Sequence, residues 1–467
     1  MKEQLKKVFC PAPFLHSYTS MGNSAFKLCC MSDIIDRIDT PAIRNGDTVA
    51  AQQERWWTGN KIKTIRKAFL NNKWPVLEDG SRPCDYCKHY EEIGIDREST
   101  RVGFIEKYFG ANLTIEDMGL NIETGNKYGH PIDLDLRPGK LCNAKCRSCC
   151  SIWSSKIEKE VLDNHDLLKG TYWDMYTNNK WQMRMAESID WDKDNSRLYD
   201  NYNLEGVRWL KMSGGETLID PSCFKIWKQL VDHGDAKNIV LHLITNGTVL
   251  PEKTIELLSQ FKGLELRFSV DGVGKVFEYC RTGCEWKKVH ANFLKACETL
   301  PNIKSMGFNS VLNVYNIFHI YYHVAWMIEQ SRRFEFVDTP ALHPIVEPMH
   351  LNIHWLDDDH KDFIKSEVKR VIYDYNIDEE EQECFKQLYS DLNKDVSHYR
   401  KESEFVDKLP ENLAERKDQW MIPNTEYNKK QFVRHTLLGD KLRKTNIIEI
   451  TPQLERYLPS NYINEIQ

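Results

Sequence analysis

Three closely spaced cysteines have the most evident chemistry in this sequence. Cys142, Cys146 and Cys149 form a C-x3-C-x2-C loop soon after a strand-like segment, Ile132 to Leu136. Three thiolates can bind three irons of a four-iron cluster and leave the fourth iron open to a ligand, whereas a cluster held by four cysteines normally only carries electrons. Zinc is the alternative, although a structural zinc site needs a fourth ligand and more often uses paired C-x2-C units.

Other residues that could bind a ligand or take part in catalysis lie at or just after strand-like segments further along the chain. Two adjacent glycines followed by a glutamate come directly after one of these segments, and such glycines let the backbone approach a ligand closely. On its own each segment is also typical of an ordinary turn. The residues in these positions are Gly214, Gly215, Glu216, Thr245, Ser269, Asp271 and Asn313.

A second group of cysteines lies near the N-terminus. It consists of Cys10, the pair Cys29 and Cys30, and the C-x2-C unit of Cys84 and Cys87. The C-x2-C spacing suits an iron–sulfur cluster and a zinc knuckle alike. Fourteen cysteines in a long chain without a secretory signal indicate metal binding and a reducing, cytoplasmic location rather than disulfides.

Composition and charge argue against several classes of protein. The net charge is −6 and the pI is near 6.2, with no long Lys/Arg block, so no strong nucleic-acid signature is present. The charged N-terminus, Met1 to Val8, is not followed by the apolar region of a signal peptide. The longest apolar run, Ile317 to Ile328, is short and contains two histidines, so we expect no membrane span.

Strand-like and helix-like segments alternate between about residues 130 and 345. The predicted strands are Ile132–Leu136, Val207–Met212, Ile239–Thr245, Leu264–Val270, Lys304–Leu312 and Phe334–Val337. The predicted helices are Cys223–His233, Lys253–Gln260, Trp286–Thr299 and Asn316–Gln330. This pattern predicts an α/β fold with a parallel sheet and right-handed crossovers. In parallel barrels the active site lies at the carboxyl ends of the strands, where the motifs above are found.

The same reading divides the chain into three regions. Residues 1–115 form a cysteine-rich first domain, residues 116–345 the α/β domain, and residues 346–467 a charged, helical C-terminal region. Residues 151–205 interrupt the α/β domain directly after the three-cysteine loop and are rich in Trp, Asn, Asp and Lys, including Trp173, Trp181 and Trp191. This insertion is a lid over the site or a solvated helical insertion.

With these motifs, the sequence resembles the radical S-adenosylmethionine (SAM) superfamily, over about residues 8–345. The resemblance implies a partial (β/α)6 TIM-like barrel in which a [4Fe-4S] cluster on the 142–149 loop binds SAM. Reduction then cleaves SAM to methionine and a 5′-deoxyadenosyl radical. Two positions depart from the family pattern. Ser148 stands where an aromatic residue is usual, so Trp153 would have to supply that packing, and Thr217 stands where proline is commoner.

The resemblance also implies roles for the residues that follow the strands. Gly214, Gly215 and Glu216 would receive the amino group of SAM, while Thr245, Ser269 and Asp271 would contact its carboxylate or ribose. Asn313 would reach the adenosine. Arg281 would pair with a carboxylate, because guanidinium binds carboxylate in a bidentate manner, or would be an ordinary arginine on a helix surface.

The N-terminal cysteines resemble a twitch domain, the shortened form of the SPASM domain. That domain usually follows the barrel, but it precedes it here, as in a phage and bacterial group of radical SAM proteins. The resemblance implies a second, auxiliary [4Fe-4S] cluster held by Cys10, Cys29, Cys84 and Cys87. Cys30 is the alternative to Cys29, which we prefer from the expected hairpin register. The stretch from Arg443 to Pro452 resembles the tail of the same group and has no predicted role.

The function implied is that of a radical SAM enzyme that abstracts hydrogen from a substrate. We expect a peptide or protein side chain as the substrate, or otherwise a small molecule, and an external reductant such as flavodoxin or ferredoxin. One alternative is radical modification of a nucleotide or DNA base, and another is a metal-binding interaction protein without catalysis. Cys280 and Cys284 flank Arg281 and would suit a thiol hydrogen donor, although packing explains them equally well.

Overall fold

The computed structural model describes residues 8–21, 24–39, 42–43, 45–92, 99–110, 114–174, 204–379, 381–393 and 425–466. Trp181 and Trp191 of the predicted insertion lie outside the described residues. The chain divides into two compact units. The first contains Met1–Leu141, Asn178–Leu243 and Pro251–Glu265, and the second contains Cys142–Thr177, Ile244–Leu250 and Leu266–Gln467.

The strands of the described regions are short, and the longest of them is Ile303–Leu312. In chain order they are β1 (His16–Ser20), β2 (Ala25–Lys27), β3 (Asp36–Arg37), β4 (Asp133–Arg137), β5 (Lys145–Cys146), β6 (Trp209–Met212), β7 (Val240–Thr245), β8 (Gly263–Ser269), β9 (Arg281–Thr282), β10 (Ile303–Leu312) and β11 (Leu342–Pro344).

Helices occupy much of the remaining described chain. In order they are α1 (Ala12–Leu15), α2 (Val49–Trp57), α3 (Asn60–Leu70), α4 (Asp85–Glu92), α5 (Thr100–Phe109), α6 (Ile115–Met118), α7 (Ser155–Asp163), α8 (His165–Leu168), α9 (Pro221–Asp232), α10 (Glu252–Leu258), α11 (Gly274–Cys280), α12 (Trp286–Thr299), α13 (Ile320–Arg333), α14 (Asp358–Asp374), α15 (Glu383–Asn393), α16 (Thr425–Arg443), α17 (Ile447–Ile450) and α18 (Tyr462–Ile466). None of these described helices is long and apolar enough to cross a membrane.

The first unit is built on a mostly parallel sheet. Strand β4 pairs in parallel with β1 and β6, and β6 pairs in parallel with β7. The first residues of these four strands are level with one another, since His16 pairs with Asp133, Asp133 with Trp209 and Trp209 with Val240. Strands β2 and β3 extend this sheet in antiparallel fashion beyond β1.

Alternation along β4 gives the sheet two different faces. Asp133, Asp135 and Arg137 point to one side, and Leu134 and Leu136, which are both buried, point to the other. Because β1 comes from the predicted first domain and β4 from the predicted barrel, both regions contribute to one sheet. The boundaries at 115 and 345 therefore stay a prediction.

The second unit contains a separate two-stranded sheet of β5 and β9, and also the neighbouring strands β10 and β11. Cys146 of β5 pairs with Arg281 of β9 in antiparallel fashion, and Ser310 of β10 pairs with Leu342 of β11 in parallel. The C-terminal region is helical, with α14, α16 and several shorter helices. The chain is thus mixed α/β with a large, mostly parallel sheet, consistent with the expected partial barrel.

Most of the predicted elements lie where the sequence indicates, but the last strand does not. Five predicted strands correspond to β4, β6, β7, β8 and β10, and the predicted helices correspond to α9, α10, α12 and α13. The strand predicted at Phe334–Val337 is wrong. Helix α13 extends to Arg333, so these residues only complete its C-terminus, and Val337 forms a single bridge to Met306. The strand that follows α13 and pairs with β10 is β11.

Candidate functional site

The three-cysteine loop is closed by its own backbone and by residues that follow it. The N–H of Cys149 donates to the carbonyl of Cys146 at 3.2 Å, and the N–H of Cys142 donates to Ser155 Oγ at 3.2 Å. Burial, and then the nearby thiols of Cys150, Cys146 and Cys142, raise the pKa of Cys149 well above its usual value. The predicted cluster ligands are therefore close together, and none of the three is part of a disulfide bond.

Arg281 lies between this loop and an acidic residue of the same unit. Its Nη1 donates to Cys146 Sγ at 3.6 Å, and its Nε is 2.8 Å from Asp271 Oδ2. The other oxygen of Asp271 accepts the N–H of Val311 at 2.9 Å. Burial raises the pKa of Cys146, and the charge of Arg281 opposes that rise. Arg281 is thus not on a helix surface, as one interpretation supposed. Its charge faces Asp271 and Cys146, and its pairing with a SAM carboxylate stays a prediction.

An amide network joins the three-cysteine loop to the segment after β7. Asn246 Nδ2 donates to Asn143 Oδ1 at 2.8 Å, and Asn143 Nδ2 donates to Thr248 Oγ1 at 2.8 Å. Thr248 Oγ1 in turn donates to Asn246 Oδ1 at 2.7 Å. The hydroxyl of Thr245 accepts the N–H of Gly247 at 3.0 Å, which shapes the turn. The sequence analysis did not single out Asn143 or Thr248, although Asn143 lies inside the cysteine motif.

The Gly-Gly-Glu segment packs against the residues that lead into the three-cysteine loop. A Cβ on Gly215 would lie 2.2 Å from the carbonyl oxygen of Leu141, and a Cβ on Gly214, whose φ is +123°, would lie 2.7 Å from that of Gly139. The N–H of Glu216 donates to the carbonyl of Leu141 at 2.7 Å. Local packing therefore requires both glycines, and it fixes the residue directly before Cys142.

The remaining predicted SAM contacts differ in how their side chains are placed. Glu216 is buried, and its Oε1 accepts the N–H of Leu218 at 3.0 Å. Asn313 is also buried, and its amide belongs to a local turn, accepting from the N–H of Tyr315 at 3.0 Å and donating to the carbonyl of Val311 at 3.2 Å. Ser269 is half-buried at the end of β8. Contact of these residues with SAM stays a prediction.

The aromatic residues near the last cysteine of the loop belong to two separate apolar clusters. Cys149 packs against a buried apolar cluster that includes Trp173, together with Leu438 and Leu442 of α16. Trp153, which was predicted to provide this packing, contacts the separate cluster of Cys150, Ile152 and Tyr172. Trp173 is thus a second candidate for shielding a cluster on this loop, and the role of Trp153 stays a prediction.

Cys280 and Cys284, considered as hydrogen donors, are both buried, at 3% and 4% exposure. Burial also raises the pKa of Cys280 strongly. The backbone of Cys280 is also held in place, because its carbonyl accepts the N–H of Arg147 at 2.9 Å. Their burial fits the packing interpretation, and a role as hydrogen donor stays a prediction.

The four N-terminal cysteines predicted to act together line one small cavity in the first unit. The cavity has a volume of about 20 Å³, and its thiols are those of Cys10, Cys29, Cys84 and Cys87. Burial, and then the charges of Cys10, Cys29 and Cys87, raise the pKa of Cys84 well above its usual value. Burial, and to a lesser degree the adjacent Cys30, raise the pKa of Cys29 to about 12.

Cys30 lines a second, polar cavity of about 400 Å³. This cavity lies over the amino-terminal halves of the parallel strands and is lined by charged residues that form ion pairs. Asp133 lies 2.6 Å from Lys107 Nζ and 3.2 Å from His16 Nδ1, and Glu265 lies 3.0 Å from His242 Nδ1. Adjacent cysteines therefore face different cavities.

Neither the three-cysteine loop nor the set of four N-terminal cysteines forms a site for a single metal ion. In the ranges that the structure describes, no three His, Cys, Asp or Glu side chains are arranged to share one ion. A four-iron cluster does not require this arrangement, because each cysteine binds a different iron atom.

Comparison with known proteins gives matches to solved structures only. No protein-family model matches the sequence, and no curated protein matches it. Native anSMEcpe with bound AdoMet and Cp18Cys peptide is 17% identical, with a TM-score of 0.32, over 52% of this chain and 60% of that chain. Streptococcus suis SuiB bound to its precursor peptide SuiA is 16% identical, with a TM-score of 0.32, over 63% of this chain and 60% of that chain.

A third structure, TYW1 with a lysine-pyruvate adduct bound, is 13% identical, with a TM-score of 0.27, over 51% of this chain and 72% of that chain. At these identities and TM-scores the comparisons show a distant likeness in fold alone, and they assign no family or role to this chain. The matched part of this chain spans about 60% of the length of anSMEcpe and of SuiB.

Proposed function

We propose that this chain is a radical SAM enzyme that abstracts a hydrogen atom from a peptide or protein side chain. The observation that carries the proposal is the closed loop holding Cys142, Cys146 and Cys149, in which three thiols lie close together outside any disulfide bond. A loop of this kind has the donor set for a [4Fe-4S] cluster with one open iron.

The residues around the loop fit such a cluster. The three thiols are buried or half-buried, and their ionisation is disfavoured by burial and by one another, so a bound iron cluster would stabilise the thiolate forms. Arg281 donates to Cys146 Sγ, as a group that tunes a cluster would do. When bound, the cluster supplies one electron that cleaves SAM to methionine and a 5′-deoxyadenosyl radical.

The protein's own residues would orient SAM at the carboxyl ends of the strands. We assign the amino group of SAM to the Gly214–Glu216 segment, which is held against Leu141 immediately before Cys142. Thr245 and Ser269 would present hydroxyl groups to its polar end. Asp271 contributes indirectly in this proposal, since its carboxylate faces Arg281.

We propose that Cys10, Cys29, Cys84 and Cys87 hold an auxiliary [4Fe-4S] cluster without an open iron. Their placement around one cavity and their mutual effect on pKa support this ligand set. The position of Cys30 on the polar cavity favours Cys29 as the ligand. Such a cluster would carry electrons to or from the substrate.

Anaerobic reconstitution tests the proposal directly. Purified protein should be brown and contain roughly eight irons per chain if both sites hold four-iron clusters. With dithionite and SAM it should release 5′-deoxyadenosine, which Cys146→Ala should abolish and Cys84→Ala should not. Full SAM cleavage by Cys146→Ala would contradict the cluster assignment. A colourless protein containing only zinc would favour a non-catalytic metal-binding protein.

The substrate class requires a separate experiment. Candidate peptides and nucleotides labelled with deuterium would be incubated with the reduced enzyme and SAM. Transfer of deuterium from a peptide into 5′-deoxyadenosine is the expected result. Transfer only from a nucleotide or DNA base would replace the proposed substrate class while leaving the radical chemistry in place. An external reductant such as flavodoxin or ferredoxin would replace dithionite in the cell.

A further inference from the structure

We propose that the C-terminal helix α16 is part of the three-cysteine site and that it positions the backbone on both sides of Cys146. This inference rests on the proposed function, because it assigns a role to residues that hold the proposed cluster loop. The sequence analysis gave this region no role. All the residues involved belong to the second compact unit.

Arg147, inside the C-x3-C-x2-C motif, is the first point of attachment. Its side chain is 1% exposed and forms an ion pair with Asp440 of α16, which is fully buried. The same guanidinium donates to Thr445 Oγ1 at 2.7 Å and lies 3.8 Å from the ring centroid of Tyr279. A residue between two predicted cluster ligands is thus anchored in the interior of the C-terminal region.

Asp440 is held by several donors besides Arg147. Its carboxylate accepts from Thr445 Oγ1 at 2.7 Å, from the N–H of Ile447 at 2.9 Å and from the hydroxyl of Tyr462. These contacts fix the carboxylate to the end of α16, to α17 and to α18. The position of Arg147 is therefore set by a rigid group of C-terminal elements.

Two further side chains of α16 bind backbone carbonyls of the loop. His435 Nε2 donates to the carbonyl of Arg147 at 3.1 Å, and Arg443 Nη1 donates to the carbonyl of Lys145 at 3.1 Å. These two carbonyls belong to the residues immediately before and after Cys146. Helix α16 therefore holds the backbone on either side of one predicted ligand, which is more than general support of the fold requires.

Close packing completes the attachment. A Cβ on Gly439 would lie 2.4 Å from Arg147 Nη1 and 3.0 Å from the ring of Trp173. Trp173 belongs to the cluster that packs against Cys149, and its ring centroid lies 3.9 Å from that of His435. Helix α16 is thus attached to the loop in two ways. Its polar side chains bind the backbone on either side of Cys146, and its packing on Trp173 links it to the apolar cluster that contacts Cys149.

The test uses the full chain without metal, so that its first readout does not depend on a cluster. Arg443→Met removes both the donor to the carbonyl of Lys145 and the 2.8 Å ion pair of Arg443 with Glu160. Glu160 keeps its second partner, Lys145 Nζ at 2.6 Å, so the variant should still fold. Lys441→Met, an exposed position on the same helix, is the matched control. Hydrogen exchange is followed by mass spectrometry in peptides that cover residues 142–150.

We expect loop amides in Arg443→Met to exchange about tenfold faster than in the control, because a charged hydrogen bond to the loop is lost. Peptides covering α2 and α3 in the first unit should be unchanged. Gly439→Ala is the second variant. Alanine ordinarily favours a helix over glycine, so faster loop exchange in this variant would come from the contact with Arg147 and not from a weaker helix. Unchanged loop exchange in both variants would overturn the proposal.

Measuring bound iron distinguishes a failure of the proposed α16 role from a failure of the proposed radical SAM function. After reconstitution, Arg443→Met should lose iron from the three-cysteine site and keep the auxiliary iron, falling from roughly eight to roughly four irons per chain. If the wild-type chain binds no iron but both variants loosen the loop, the function is wrong and the positioning role of α16 stands. If wild type and both variants bind the same iron and give the same cluster spectrum, α16 does not position the loop.

Discussion

The contact between Gly215 and the segment before Cys142 can be tested with one added methyl group. Gly215 lies in the Gly-Gly-Glu segment, and its φ lies outside the left-handed region, so alanine would meet no backbone strain there. The whole effect of Gly215→Ala would come from the new Cβ. In the structure that atom would lie 2.2 Å from the carbonyl oxygen of Leu141 and 2.7 Å from the carbonyl carbon of Lys140.

The size of the effect follows from this overlap. An ordinary contact begins near 3.4 Å, so the two segments must separate by about 1.2 Å. Overpacking of this kind costs about 1–3 kcal/mol of folding free energy. Leu141 directly precedes Cys142, so the shift would be passed to the first predicted cluster ligand. A misplacement of about 1 Å can lower a rate about 100-fold, and we expect 5′-deoxyadenosine formation to fall by about that factor.

The matched control for this variant is Gly103→Ala. Gly103 also lacks a positive φ, and a Cβ there would meet no atom within 4 Å. Its position inside α5 means that alanine should leave stability equal or higher. The assay compares urea unfolding, iron content and 5′-deoxyadenosine release in the two variants. Equal SAM cleavage by Gly215→Ala and Gly103→Ala would refute the idea that this contact sets the position of Cys142.

Two further predictions concern the auxiliary site and the dependence of stability on pH. Cys29→Ala should lower the reconstituted iron content by about four atoms per chain, and Cys30→Ala should leave it unchanged, because only Cys29 lines the four-thiol cavity; the reverse result would assign the ligand to Cys30. Burial lowers the pKa of His323 from 6.5 to about 4. Between these values the unfolded chain takes up a proton that the folded chain does not, so stability should fall by up to about 3 kcal/mol as the pH drops from 6.5 to 4. The urea midpoint of His323→Gln should vary less with pH over this window than that of a control, His165→Gln, at an exposed position; equal slopes would contradict the assignment.

The order of elements in the α/β region could be predicted from the sequence because its signals are local. Buried strands such as β7 and amphipathic helices such as α12 carry a pattern within a single window of residues. The failure at Phe334–Val337 has a local cause too, since an aromatic and β-branched run is equally suited to the end of a helix that packs on a sheet. Parallel pairing of β1 with β4 could not be predicted, because these strands are more than 100 residues apart.

The candidate sites were predictable to the extent that ligand spacing is local. The C-x3-C-x2-C loop and the C-x2-C unit are short patterns, and the structure brings the members of each predicted group together. Arg281 illustrates the limit. Its type and position suggested a carboxylate partner, but only the structure shows that this partner is Asp271 and that Cys146 lies beside it.

The residues that hold the three-cysteine loop lie far from it in sequence, and this explains why the motif alone did not reveal them. Arg443 is 298 residues from Lys145, and Asp440 is 293 residues from Arg147. A short motif can supply thiols, but the precision that a cluster and its ligand need must come from rigid neighbours. Since Asp440 and Arg147 are a buried ion pair, neither residue can be lost alone without leaving an uncompensated charge. Helix α16 and the cysteine loop are therefore physically one site.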